Sequence, residues 1–201
     1  MEQRLQLPFT LRNFTSANIQ TEIEQRFFSN YRIFALFLCT QGSIDVSIDD
    51  RAYRVNRGDT LFIPPSIRTN VNTYSDDLKC IILYVDYDFI MAIVNKTMDI
   101  TTGLYFSEHP FLSLSVSQYD LILSQMQTLM AREARENETY ANSPNKQVIT
   151  ELLSSMCRTL TYEILNCYMM GHHLEAGTWN ITDKLAQNFI VAVYNNYRKH
   201  R

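Results

Sequence analysis

Four histidines and four cysteines are the side chains of this sequence best suited to hold a metal ion or attack a carbonyl carbon, and their spacing favours neither chemistry. His109, His172, His173 and His200 lie outside the alternating apolar runs of the first half. His172 and His173 are adjacent, so in a helix or a strand their rings diverge instead of converging on one ion. All four are read as surface residues. Cys39, Cys80, Cys157 and Cys167 are far apart in apolar runs with no Cys-x-x-Cys pair, the pattern of buried reduced thiols. There is no Gly-x-Ser-x-Gly elbow to expose a serine nucleophile, and the glycines form no phosphate-cradling loop. The expectation is a protein that is not an enzyme and uses no metal and no cofactor.

Composition narrows the class further. A chain of 201 residues with 46% apolar and 19% charged residues is an ordinary globular protein with enough length for a real core. A formal net charge of −3 gives it no overall electrostatic footprint of a nucleic-acid binder. The opening MEQRLQLPFT lacks a basic-then-apolar signal pattern, and apolar runs such as Cys80 to Val85 are too short to cross a bilayer. A cytoplasmic protein with no membrane partner is expected.

Any chemistry must be positioned by the elements around Leu36 to Pro65, where turn signals recur roughly every eight residues between short alternating runs. Ile44, Val46 and Ile48 fall on one face and Asp45, Ser47 and Asp49 on the other, the period-two pattern of a half-buried strand. Asp49-Asp50 reverses the chain into a hairpin through Tyr53 and Val55, Gly58-Asp59 supplies the next turn, and Pro64-Pro65 ends the strand that follows. Phe34, Leu36 and Leu38 alternate with Ala35, Phe37 and Cys39, so that strand is expected to be covered on both faces. Strands are read at Phe27 to Thr40, Ser43 to Ile48, Ala52 to Val55, Thr60 to Ile63 and Leu78 to Val85, as an antiparallel β-barrel or jelly roll.

The second half changes period. From Ser117, read as an N-cap, to Glu138, the residues Leu121, Ile122, Gln125, Met126, Leu129 and Met130 trace a helical stripe, and Arg132, Glu133, Arg135 and Glu136 read as a solvated charged tip. Ser143-Pro144 opens a second amphipathic helix that carries Ile149, Leu152, Leu153, Met156, Leu160, Ile164 and Cys167 and stops at Gly171. A third begins between Asn180 and Asp183 and ends in the basic tip Arg198 to Arg201, whose cations suit a helix C-terminus. The chain thus divides into a barrel over 1–114, a helical segment over 115–171, and a linker with a further helix over 172–201.

The stretch QGSIDVSIDDRAYRVNRGDTLFIPP resembles the cupin-type N-terminal domain of AraC-like transcription regulators, in which a Gly-bounded hairpin leads to a Gly-Asp turn and a strand ending in Pro. The helix pair after the barrel is similar to that family's dimerisation region, and DKLAQNFIVAVYNNYRKHR resembles the opening of its helix-turn-helix half. The resemblance implies a homodimer, a small-molecule effector held in the barrel and sometimes covered by the N-terminal arm, and DNA contact only through a C-terminal domain. Because the sequence ends at Arg201, where the first DNA-reading unit would scarcely have begun, a truncated regulator is expected.

Catalytic cupins hold a metal with imidazoles and a carboxylate. Counting from Gly42 and Gly58, the corresponding positions hold Ala35, Asn30 or Tyr31, Phe28 or Ser29, and Thr69, none of them a ligand of that kind. The polar groups proposed for an effector are Tyr53 on the hairpin, Arg68 and Asn70 after the proline turn, and Tyr84 on the late strand. Arg68 suits a bidentate anion contact and suits solvent equally. Ile149, Leu152, Leu153, Met156 and Leu160 are the expected dimerisation residues. Two other classes compete with a sensory module: a metal-free cupin isomerase or epimerase using Tyr53, Tyr84 and Asp45, or a purely structural dimer.

Overall fold

A computed structural model of the chain describes residues 5–21, 32–48, 51–65, 69–97, 106, 108–139 and 145–171. The order of elements is β1 (Phe9–Thr15), β2 (Ile33–Gln41), β3 (Ser43–Ile48), β4 (Arg51–Asn56), β5 (Asp59–Ile63), β6 (Thr69–Tyr74), β7 (Lys79–Asp86), α1 (Tyr87–Thr97), β8 (Phe111–Ser113), α2 (Val116–Thr139) and α3 (Lys146–Gly171). The strands form a five-stranded sheet in the order β1-β7-β2-β5-β8 and a three-stranded sheet in the order β4-β3-β6, with every pairing antiparallel. Face to face, the two make the jelly-roll sandwich expected from the turn rhythm. The Ser117 to Glu138 and Ser143 to Gly171 expectations correspond to α2 and α3.

Alternation along β2 and β7 builds two cores. Ala35, Phe37, Cys39, Cys80, Ile82 and Tyr84 point between the sheets, where they meet Ile44, Val46, Ile48 and Val55 of the smaller sheet. Leu36, Leu38, Ile81, Leu83 and Val85 point the other way and are covered by Ile122, Met126 and Leu129 of α2 and by Leu153, Cys157, Leu160 and Ile164 of α3. The large sheet is therefore buried on both faces, as the all-apolar run of β2 requires. The helical segment has no core of its own, since its apolar faces complete the second of these clusters.

Three connections close one end of the sandwich. Gly42 joins β2 to β3 with φ at 71°, and Gly58 joins β4 to β5 with φ at 93°, conformations that glycine adopts without a Cβ penalty. The Asp59 carboxylate accepts the Asn56 backbone N–H at 2.8 Å and the Ser113 hydroxyl at 2.6 Å, so the Gly-Asp turn also fastens edge strand β8. The Ser75 backbone N–H donates to the Ser43 carbonyl at 2.9 Å, bringing the β6–β7 connection against Gly42.

Several details differ from the sequence reading. β1, β6, α1 and β8 have no counterpart there: TNVNTY of β6 is polar at most positions, and β8 is three residues long. Helix α2 is capped by Ser115 rather than Ser117. The Ser115 hydroxyl accepts the Gln118 N–H at 3.3 Å while the Gln118 side chain accepts the Ser115 N–H at 2.9 Å, a reciprocal capping box. Leu121 is exposed, whereas Ile122, Met126 and Leu129 carry the buried stripe. Glu136 is not solvated: it is buried, and its carboxylate pairs with Arg132 at 2.6 Å and Arg135 at 3.4 Å. The described part of the N-terminal arm lies on the helical side, where Leu5 and Leu7 pack on the sheet–helix core and the Leu5 N–H donates to the Asn137 side chain at 3.1 Å. The Asp49-Asp50 reversal, the Ser143-Pro144 helix start and the helix expected beyond Asn180 lie outside the described residues.

The two turn glycines differ in what a side chain would meet. A Cβ at Gly42 would lie 2.3 Å from the Ser75 hydroxyl, 2.7 Å from the Asp77 carboxylate and 3.0 Å from the Leu78 Cα, whereas one at Gly58 meets nothing within 4 Å. Gly58→Ala is expected to cost about 1 kcal/mol of left-handed backbone strain, and Gly42→Ala roughly 2–4 kcal/mol because a clash is added. Denaturant melts of the two variants should show that order; equal losses would contradict the geometry.

A second test concerns Glu133 of α2, whose burial raises its pKa while Arg12 and an Asn137 hydrogen bond pull it down. A carboxyl raised in the fold disfavours folding as pH climbs through and above the ordinary range near 4.5. Glu133→Gln should therefore melt about 1–2 °C above wild type at neutral pH, with the gain fading below that range. A gap that widened on acidification would reverse the sign.

Candidate functional site

The end of the sandwich opposite Gly42, Gly58 and the Ser75 connection is where a site can open. Ala35 and Ile48 stand at similar distances before and after Gly42, so they face each other at this end from the two sheets. Ala35 is in register with Tyr84 on one side and with Ile63 on the other, and Ile48 is in register with Thr69. Side chains of one parity point inward, which groups Ala35, Ile48, Ile63, Thr69 and Tyr84 around the interior. Tyr53, in register with inward-pointing Val46, is half-buried, packs against the interior cluster, and stacks on Phe111 of β8 with ring centroids 6.5 Å apart.

Thr69 is the residue that the sequence reading did not select as a ligand group. It is 1% exposed, and its hydroxyl has no hydrogen-bond partner among the described residues. A buried hydroxyl left unsatisfied costs on the order of 1–3 kcal/mol, so it marks a place where a partner is wanted. The signal was present in the sequence as the position where a catalytic cupin keeps its last histidine. Its inward direction follows from the pairing of β6 with β3.

The effector residues expected from sequence divide accordingly. Tyr84 is buried among the interior residues, and Tyr53 reaches the same cluster from β4. Asn70 does not join them. It is opposite Ser47, whose parity places both on the outer face, beside the Asn72 side chain that donates to the Ser47 hydroxyl at 2.7 Å. Strand parity decides this: Thr69 is opposite inward Ile48, so its neighbour Asn70 points to the other face. Arg68 lies outside the described residues. Asp45 is likewise outward, accepting from the Thr73 hydroxyl at 2.7 Å and lying 3.8 Å from Arg54.

The other groups with potential chemistry are dispersed. Among the described residues no three His, Cys, Asp or Glu side chains gather in one place. His109 is exposed, and His172, His173 and His200 lie outside the described residues. All four cysteines are buried and unpaired. Burial pushes the Cys39 thiol up to about 11 and Cys157 to about 12, and raises Cys80 and Cys167 as well. These are poor thiolates at neutral pH, hence poor nucleophiles.

Helix α3 carries the expected dimerisation residues, and the fold uses most of them internally. Leu153 and Leu160 are 0% and 1% exposed inside the sheet–helix core, and Ile149 and Met156 are half-buried against it. Only Leu152 faces outward, at 40% exposure. It belongs to a different stripe, formed by Val148, Leu152, Ser155, Thr159, Tyr162, Asn166 and Met170, all exposed and spaced alternately by three and four residues up to Asn166. The helix is tied to the barrel at Pro110, whose carbonyl accepts both the Tyr168 hydroxyl at 2.6 Å and the β5 backbone N–H of Phe62 at 2.8 Å.

Residues 25–160 match the family of AraC-like ligand binding domains. No curated relative matches the sequence. Among solved structures, the AraC-like transcriptional activator CuxR is 13% identical with a TM-score of 0.41, covering 94% of this chain and 58% of its own. Apo ToxT K231A from Vibrio cholerae strain SCE256 is 9% identical with a TM-score of 0.43, covering 90% of this chain and 70% of its own. A Cupin 2 conserved barrel domain protein from Salinispora arenicola is 14% identical with a TM-score of 0.28 over 34% of this chain and 58% of its own. The present chain thus spans little more than half the length of CuxR.

The thiol environments give a direct check. In native protein at pH 8, iodoacetamide should modify Cys39, Cys80 and Cys157 at least about a hundredfold more slowly than a free cysteine, because burial withholds both the thiolate and access to it. All four cysteines should react in denaturant. Rapid native labelling of Cys39 or Cys80 in a mass-spectrometric time course would contradict a closed interior.

Proposed function

The chain belongs to the AraC-like ligand binding domain family, and from that premise we propose that it is the effector-sensing and dimerisation module of a transcription regulator, acting on a DNA-binding module outside these residues. The observation that carries this reading is the doubly buried sheet. Ala35, Phe37 and Tyr84 line the interior, while their immediate neighbours Leu36, Leu38 and Val85 belong to the core shared with α2 and α3. A ligand that shifts β2 or β7 therefore shifts the bed on which the helices lie. β5 adds a second route, through Phe62, the Pro110 carbonyl and Tyr168 of α3.

The effector acts only through a difference in its affinity for two arrangements of this sheet and helix pair. The outward stripe of α3 is where that difference would be read by a second copy. Its alternating three-and-four spacing is that of a two-helix seam, and exposed Val148, Leu152, Tyr162 and Met170 are its apolar members. Of the five expected dimer residues only Leu152 belongs to this face, while Ile149, Leu153, Met156 and Leu160 serve the sheet–helix core. In this reading the chain is a binding module without catalysis. A metal-free isomerase would need a titratable pair facing the interior, and its carboxylate candidate Asp45 faces outward instead.

Sedimentation equilibrium tests the dimer. Wild type is expected to self-associate, Leu152→Asp and Tyr162→Asp to give folded monomers with unchanged circular dichroism, and Leu153→Ala to lose about 2–5 kcal/mol of stability from its buried site. A wild-type chain that stays monomeric at high concentration would remove dimerisation from the proposal.

A further inference from the structure

We infer that the interior at the end opposite Gly42 and Gly58 takes an uncharged, largely apolar molecule carrying one hydrogen-bonding group, of the type of a simple phenol or an indole, with Thr69 as the partner of that group. This rests on the reading of the barrel as a sensor and names the class of molecule sensed. The walls at this end are Ala35, Ile48, Ile63 and Tyr84, with half-buried Ile33 and Tyr53 packed against them. Among the described residues the one buried charged side chain of inward parity, Asp59, lies at the Gly58 end, where Asn56 and Ser113 hold it. A charged ligand enclosed here would lose its hydration against apolar walls, which proteins tolerate only with a paired countercharge. Among the described residues the cations of matching parity are peripheral: Arg51 is exposed at the rim, donating to the Glu108 carbonyl at 3.0 Å, and Arg12 is exposed on edge strand β1.

A polyol fails for a complementary reason. Each hydroxyl brought inside needs its own partner, and the described interior offers the Thr69 hydroxyl and two tyrosine phenols among aliphatic side chains. The Thr69 Oγ1 is buried, inward and unpartnered, so a single donor or acceptor on an apolar body satisfies it and leaves no other polar group stranded. The aromatic faces of Tyr84 and of the Tyr53–Phe111 stack suit a flat ring. Ala35 contributes only a methyl group between Tyr84 and Ile63.

Calorimetry and thermal shift on the 201-residue chain with p-cresol, indole, benzoate and D-ribose test the class. p-Cresol and indole are expected to bind and raise the melting temperature, while benzoate and D-ribose do neither. Thr69→Val should weaken p-cresol about tenfold, and Thr69→Ser should restore it. Tighter binding of benzoate or D-ribose than of p-cresol, unchanged p-cresol affinity in Thr69→Val, or no binding by any of the four would overturn the inference. Ala35→Leu, or Ala35→Val if the larger residue does not fold, fills the interior and separates this failure from that of the sensor reading. Benzoate or D-ribose binding that the filled variant abolishes leaves the sensing barrel standing with a different ligand class. Probe binding that the filled variant leaves intact occurs elsewhere and overturns both.

Discussion

A β-sheet can be buried on both faces only if successive residues of its central strands are all apolar, and everything else in this protein follows from β2 and β7 meeting that condition. Alternation sends Ala35, Phe37, Cys39, Cys80, Ile82 and Tyr84 into the sandwich and Leu36, Leu38, Ile81, Leu83 and Val85 under the helices. Each large apolar side chain so buried contributes about 1.5–3 kcal/mol, and most of that would be lost on one face if either cover were removed. The three-stranded sheet and the helix pair are thus two lids on one layer. Because that layer is shared, a change of packing on one side is felt on the other through a single peptide step.

The same condition explains how much of the architecture was legible in the sequence. Leu36 to Pro65 announced its strands because alternation, turn residues and terminating prolines agree there, and the double coverage of β2 was visible in its unbroken apolar run. β6 was silent because only Thr69 and Val71 need to face inward near its start, so TNVNTY has almost no apolar signal. β1 was hidden for a similar reason. As an edge strand pairing only with β7, it tolerates Arg12 and Asn13 amid Phe9, Leu11 and Phe14. Helical periodicity found α2 and α3 but not which face each presents, since both Leu152 and Leu153 are apolar and only packing decides between them.

Legibility was lower at the site because a pocket is defined by direction as much as by residue type. Asn70 and Thr69 are adjacent and both polar, yet strand parity sends one outward and the other into the core. Choosing by hydrogen-bonding capacity favours Asn70; choosing by register favours Thr69. Register depends on the pairing of β6 with β3, which includes an irregularity between Asp45 and Val46, and no local signal in TNVNTY specifies it. Tyr84 could be placed from sequence because β7 is long and unambiguous, so its alternation extends over the whole strand.

A site end whose described residues are apolar apart from an orphaned hydroxyl and tyrosine phenols also answers a requirement that sensing imposes. A ligand-binding domain must fold without its ligand, so the empty site cannot contain groups whose desolvation would exceed the few kcal/mol by which such domains are stable. Buried unpaired charges at this end would breach that limit; one unsatisfied threonine hydroxyl, at about 1–3 kcal/mol, does not. Satisfying the hydroxyl on binding returns a free energy of the same order. That range matches the coupling energies with which two-state regulators work, about 1–3 kcal/mol. If the Thr69 contact forms in only one of the two arrangements of the shared sheet, that single contact is large enough to bias α3, and no network of charged residues between the interior and the helix is required.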